Sequence, residues 1–206
     1  MISKSIIQSW VDEGSSIPEQ LVPIFERFLL GSVSVGVSKR TSGFIDELNL
    51  VNSQLVTVFL KKMEDNEFQF EFKRNASEVE KAIENNSNQP WDDGEKYICV
   101  PSSKKELSTA IDNLHEIKEL ESSVLREDVK EIVRARFNEL DAIFRHLRNA
   151  LAHGCFRYIN SSKNGNGSIF FFDINSSGDV SAIATLSLER LDSWYNLICS
   201  NAKKKV

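Results

Sequence analysis

The 206-residue sequence predicts a mainly α, α+β protein: a helical bundle with a small β-hairpin or short strands inserted before a C-terminal helix. Three observations predict it. From about Arg126 to Ala152 the residues Val133, Phe137, Leu140, Phe144, Leu147 and Leu151 recur at steps of four, three, four, three and four. That is the period of one buried helix face. One earlier segment, Phe44 to Val58, repeats the same steps. After Gly154 the period changes, and short apolar runs alternate with turn residues up to Leu186.

Taken in order, Ser16-Ile17-Pro18-Glu19 starts a helix, because Ser16 can cap the first turn and Pro18 fits within it. The helix spans 16–30 and ends at Gly31. Residues 31–38 alternate Val with Ser or Gly and suit either a strand or a loop. A second helix over 43–64 carries Phe44, Leu48, Val51, Leu55 and Val58 on one stripe. Glu67 to Lys73 alternates Phe with polar residues and reads as a half-buried strand. Ser77 to Glu84 reads as helix, 85–90 as loop, and Tyr97 to Val100 as a short apolar run stopped by Pro101. Ser102 or Ser103 caps a helix with Leu107, Ile111, Leu114, Ile117 and Leu120 inward. The long helix follows and stops at Gly154. Cys155–Asn160, Ser168–Asp173 and Val180–Leu186 read as strands, and Ser187 caps a last helix that buries Leu188, Leu191, Trp194 and Ile198. No repeat or long linker divides the chain, so one domain over 1–206 is expected.

Hydrophobic residues make up 41% of the chain, enough for a sizeable core, and the 27% charged residues argue against disorder. The net charge of −5 excludes a general nucleic-acid coat. It leaves room for an enzyme that grips one phosphate with a local cation cluster. Cys99, Cys155 and Cys199 are odd in number and form no CxxC pair, which fits a reducing cytoplasm and no zinc site. No signal peptide and no membrane-length apolar run is expected, so the reading is a cytoplasmic protein away from the membrane.

The chemistry concentrates at the end of the long helix, in Arg148-Asn149-Ala150-Leu151-Ala152-His153-Gly154. Opposite the apolar stripe fall Ala135, Ala142, His146, Asn149 and His153, with Arg145 nearby. Small residues there let another backbone approach, and the polar ones can line a cleft, so this face suggests a second contact surface such as a two-fold partner. Asn149 and His153 share a face at i and i+4. Arg148 and His153 are five apart, roughly 140° around an ideal helix. They can meet on one atom only if the last turn unwinds or if two copies of the motif face each other. Arg145 stands four after Asp141, a spacing that suits an ion pair.

Arg148, Asn149 and His153 at a helix end, within Phe144–Gly154, resemble the Arg-x4-His signature of the HEPN superfamily, in its prokaryotic toxin and defence branch. The resemblance covers about 126–200 sharply. It implies a HEPN-like core over 102–201, with helices 16–30 and 43–64 completing a bundle that dimerises through the motif-bearing helix. It also implies a metal-independent endoribonuclease with no cofactor. Arg148, His153 and Asn149 would be catalytic, and Arg145 and His146 would contact the RNA. An antitoxin or regulatory protein is a possible partner.

The chemistry suits these residue types. A guanidinium grips phosphate through paired hydrogen bonds. An imidazole near its working pH moves the proton of a ribose 2′-OH. Some members place a Tyr two residues after the motif His; here that position is Cys155. Any function that needs the Tyr is therefore in doubt. The alternative is a non-catalytic HEPN module that binds RNA, a nucleotide or a protein.

Overall fold

The structure, a computed structural model, describes residues 19, 22–23, 53–84, 94–101, 127–160 and 167–202. The expected helix over 16–30, the loop at 85–90 and the helix after Ser102 lie mainly or wholly outside these residues. The described elements in chain order are α1 (Ser53–Met63), β1 (Phe70–Phe72), α2 (Ala76–Glu84), β2 (Lys96–Cys99), α3 (Glu127–Ala152), β3 (Phe156–Ile159), β4 (Ser168–Ile174), β5 (Val180–Ser187) and α4 (Leu188–Ala202).

The strands form a single five-stranded mixed sheet in the order β1-β2-β5-β4-β3. This corrects the expected mainly α bundle with an inserted hairpin. Each strand has a local signal in the sequence. What the sequence hides is their pairing. β2 runs antiparallel to β5 with Lys96 opposite Thr185, and β1 joins it in parallel with Phe70 opposite Tyr97. The C-terminal hairpin thereby becomes the middle of a sheet instead of an appendage. Periodicity reports which side of a segment is buried and says nothing of which distant segment buries it.

The centre of the sheet is covered on both faces. Every residue of β5 from Val180 to Leu186 is buried, as are Ile169 to Asp173 of β4. The run Ile169-Phe170-Phe171-Phe172 is continuously apolar for that reason. α3 packs on β4 and β2, α2 on β5 and β2, and α4 on β5. In register, Ala182 and Ala184 of β5 sit beside Cys99 and Tyr97 of β2 and beside Asp173 and Phe171 of β4. Small side chains at the centre let α3 lie close, and the Tyr97 hydroxyl donates to the Ile143 carbonyl of α3.

α3 buries Leu140, Phe144 and Leu147, as its stripe predicts. It also buries Ala142 and His146 on the opposite side. At His146 that side, expected to meet a second copy, is taken by the chain's own Val100 and Asp173. Of the stripe expected over 43–64, Val58 alone has a described side chain, and it is 47% exposed, while Phe59, Leu60 and Met63 are buried. The Phe59 ring tilts against that of Phe144.

The remaining contacts follow from local chemistry. Asn75 caps α2, its side-chain oxygen accepting from the Glu78 amide at 3.1 Å, while Glu78 reaches back to the Arg74 amide. Ser187 caps α4 through the Arg190 amide at 3.1 Å. Leu191, Trp194 and Ile198 are buried as expected, and the Trp194 indole N–H donates to the Met63 carbonyl.

Arg190 fastens three segments. It bonds Glu95 at 2.8 Å and Asp65 at 2.8 Å and lies 4.2 Å over the Phe68 ring. Burial alone would raise the Glu95 carboxyl, but Arg190 and Ser187 outweigh it and hold it below its ordinary value. The Arg190 hydrogen bond does the same for Asp65. Both carboxyls are lowered by folding, so their contribution is complete above the ordinary carboxylate range, near about pH 4. It fades as pH falls through the depressed values. Arg190→Ala lowers the melting temperature by several degrees at pH 7, and the gap to wild type narrows below about pH 4 in thermal melts monitored by circular dichroism.

Candidate functional site at the end of the long helix

α3 stays α-helical through its final turn, since the His153 amide donates to the Asn149 carbonyl at 2.9 Å. The chain then reverses on Gly154, whose φ of 67° is one that side chains resist. The Gly154 amide bonds Leu151 O at 3.2 Å and the Cys155 amide bonds Ala150 O at 2.7 Å. These are the two bonds of a Schellman cap, and buried Ala150 and Cys155 supply its apolar contact. His153 is therefore the capping residue, exposed at the very end of the helix. Cys155 leads into β3 and is buried, so the position two residues after His153 holds a packed thiol.

One turn back, a chain of hydrogen bonds runs from the sheet to Arg148. The Val100 carbonyl accepts from His146 Nε2 at 2.9 Å. A carbonyl can only accept, so Nε2 carries a proton. On the other side of the ring, Nδ1 lies 2.6 Å from Asp173 Oδ2. The same Oδ2 accepts from Asn149 Nδ2 at 3.2 Å, and Oδ1 accepts from the Ile174 amide at 3.0 Å. The His146 ring, the Asn149 amide and the Ile174 amide thus converge on the one buried carboxyl group. The Asn149 oxygen then accepts from Arg148 Nη1 at 2.9 Å.

The strands place these groups. Between Asp173 and Ile174 the β4–β5 register shifts, so Ala182 faces Asp173 and Val180 faces Ile174. Ser181 is the extra residue. Its carbonyl accepts from the Val100 amide and its hydroxyl donates to the Asp173 carbonyl. The irregularity thus holds Val100 and Asp173 on either side of His146, a common use of a bulge beside a working site.

The expected site residues separate into two groups. Arg148 and Asn149 are half-buried and joined, and His153 is exposed. Arg145 is half-buried, with Nε 3.8 Å from Asp141, beyond hydrogen-bond reach. His146, expected to contact RNA, is 4% exposed with both ring nitrogens engaged inside the chain. Its place is in the support of the site. Asp173 is the residue that sequence reasoning missed. Its signal was a charged residue closing the run Ile169–Phe172, where a fully buried strand otherwise carries no charge. Among the described residues, no three His, Cys, Asp or Glu side chains gather to hold a metal ion, and no helix is long and apolar enough to cross a membrane.

Arg148 and Asn149 are thus braced from a buried carboxyl group, and His153 caps the same helix. The chain belongs to the HEPN pEK499 p136 family, whose model matches residues 45–204, most of its length. Comparison with curated proteins and with solved structures returns no match.

The buried pair makes a clear demand on stability. His146→Ala leaves the Asp173 carboxylate buried without its main partner, and it costs about 3–5 kcal/mol of unfolding free energy. Urea denaturation followed by tryptophan fluorescence measures the loss; an unchanged midpoint would show that the pair carries no weight.

Proposed function

We propose that this protein is a metal-independent endoribonuclease of the HEPN type, acting as a toxin or defence effector. One observation supports the reading most. Among the described residues, the half-exposed Arg148 guanidinium bonds a neutral amide oxygen and no carboxylate. A charge taken into the interior is normally paired with an opposite one. Here Asp173 is engaged by His146, and the Arg148 charge is left for an incoming anion.

In this reading Arg148 holds the non-bridging oxygens of one phosphodiester through paired hydrogen bonds. An imidazole of His153 takes the proton of the adjacent ribose 2′-OH. The 2′ oxygen then bonds to phosphorus as the bond to the 5′ oxygen breaks. The leaving 5′ oxygen receives a proton from a second imidazole. The products are a 2′,3′-cyclic phosphate and a 5′-OH, and DNA lacks the attacking group. Arg145 stands one turn before Arg148 and can take a neighbouring phosphate.

The regular last turn of α3 keeps Arg148 and His153 roughly 140° apart. With no unwinding, the route that remains for joining them is a homodimer in which the helix ends of two copies share a cleft. Two copies also supply the two imidazoles. The occupied Ala142–His146 side moves such contact toward residues 148–154. A cytoplasmic ribonuclease also needs a restraint, which an antitoxin or regulatory protein would provide.

Digestion of total RNA in EDTA tests the reading. Wild type cleaves, and His153→Ala and Arg148→Ala each lose about 10²–10⁴-fold in rate. Mixing the two variants restores part of the activity, because the shared cleft of a mixed dimer regains one guanidinium and one imidazole. Equal cleavage by wild type and His153→Ala defeats the assignment. Binding of RNA without turnover, indifferent to His153, assigns the chain instead to the non-catalytic modules.

A further inference from the structure

We infer that Asp173 is a positioning residue for Arg148, acting through the side-chain amide of Asn149; the inference rests on Arg148 being the anion-holding group. A primary amide has two ends of opposite character. In Asn149 the NH2 end donates to Asp173 and the oxygen accepts from Arg148. Turned over, the amide would set its oxygen against a carboxylate and its NH2 against a guanidinium, and both contacts would repel. The position of Asp173 therefore decides which end of Asn149 meets the arginine.

The arrangement also separates orientation from charge. Were Asp173 to touch Arg148 directly, it would orient the guanidinium and neutralise it at once. Instead Asp173 bonds His146 at 2.6 Å and reaches Arg148 only through the dipole of the Asn149 amide. Arg148 is aimed and keeps its charge. A second observation agrees: Arg148 Nε is buried with no hydrogen-bond partner among the described residues. The side chain is thus held at one Nη nitrogen, and an anion can meet its remaining Nη donors.

The chain of contacts has firm anchorage. His146 and Asp173 are both buried, Asp173 is further pinned by the Ile174 amide, and the Val100 carbonyl closes the far end. No part of it needs the carboxylate to touch RNA.

The test is a double-mutant cycle among wild type, Asp173→Asn, Arg148→Ala and the double variant. Each is first shown to be folded by circular dichroism at the assay temperature. The probe is a mixed-sequence 2′-O-methyl oligoribonucleotide, which cannot be cleaved, with affinity read by fluorescence anisotropy at low salt. Asp173→Asn is expected to weaken binding about tenfold, the loss of one oriented charge-assisted contact. In the Arg148→Ala background the same change has no further effect, because the residue it orients is gone. A purely structural role for Asp173 predicts the full loss in both backgrounds, and that result overturns the inference.

Should Asp173→Asn fail to fold, Asn149→Ala replaces it. This change breaks the relay and leaves the buried pair intact; the same pattern is expected of it, and undiminished binding overturns the inference. RNA cleavage by the same proteins separates the two readings. A coupled cycle without cleavage by wild type sinks the nuclease and keeps the relay. Cleavage with an additive cycle does the reverse. Wild type that fails to bind the probe overturns the relay as well.

Discussion

The contact between His146 and Asp173 is the constraint on which the rest of this structure depends. It joins the long helix to the central sheet at a point where neither side chain sees water. A lone carboxylate or a lone imidazolium would be costly there. Together, with a carbonyl behind the ring and two further donors on the carboxylate, they satisfy one another. Hydrophobic packing alone brings α3 onto β4 with some freedom to slide. A bond between two specific atoms removes that freedom and sets how far the helix end projects beyond the sheet. The Schellman cap at Gly154 then sets where it stops.

Much of this was legible in the sequence, element by element. The stripe of Leu140, Phe144 and Leu147 announced the buried face of α3, and Gly154 announced its end. Ser187 and the Leu191–Trp194–Ile198 spacing announced α4. The Phe residues at 68, 70 and 72 announced a strand, although only Phe70–Phe72 pairs as one. The architecture was not legible, because a sheet is decided by partners distant in sequence. Nothing in Tyr97–Val100 says that it lies beside Ala182–Ala184. Without that pairing the strands look like a hairpin attached to a bundle.

The functional residues divide along the same line. Arg148, Asn149 and His153 sit close together in sequence, so their spacing could be weighed against helix geometry directly. His146 looked like a member of the same surface group because helix angle places it beside Asn149. Burial decided otherwise, and burial comes from β4 and Val100. Asp173 could have been noticed as the one charge in a run of buried aromatic residues. Its partner could not, since only the register shift at Ser181 brings the carboxylate under the helix.

The long reach of the Val100–His146–Asp173 connection bears on the order in which the protein can be completed during synthesis. Forty-six residues separate the first pair and twenty-seven the second. When α3 emerges from the ribosome, Arg148 and Asn149 are already on it, but the carboxylate that orients them has yet to emerge. β4 must then find β5, and β5 must find β2, before the helix end is locked. A growing chain therefore carries an unaimed arginine until those three strands have paired.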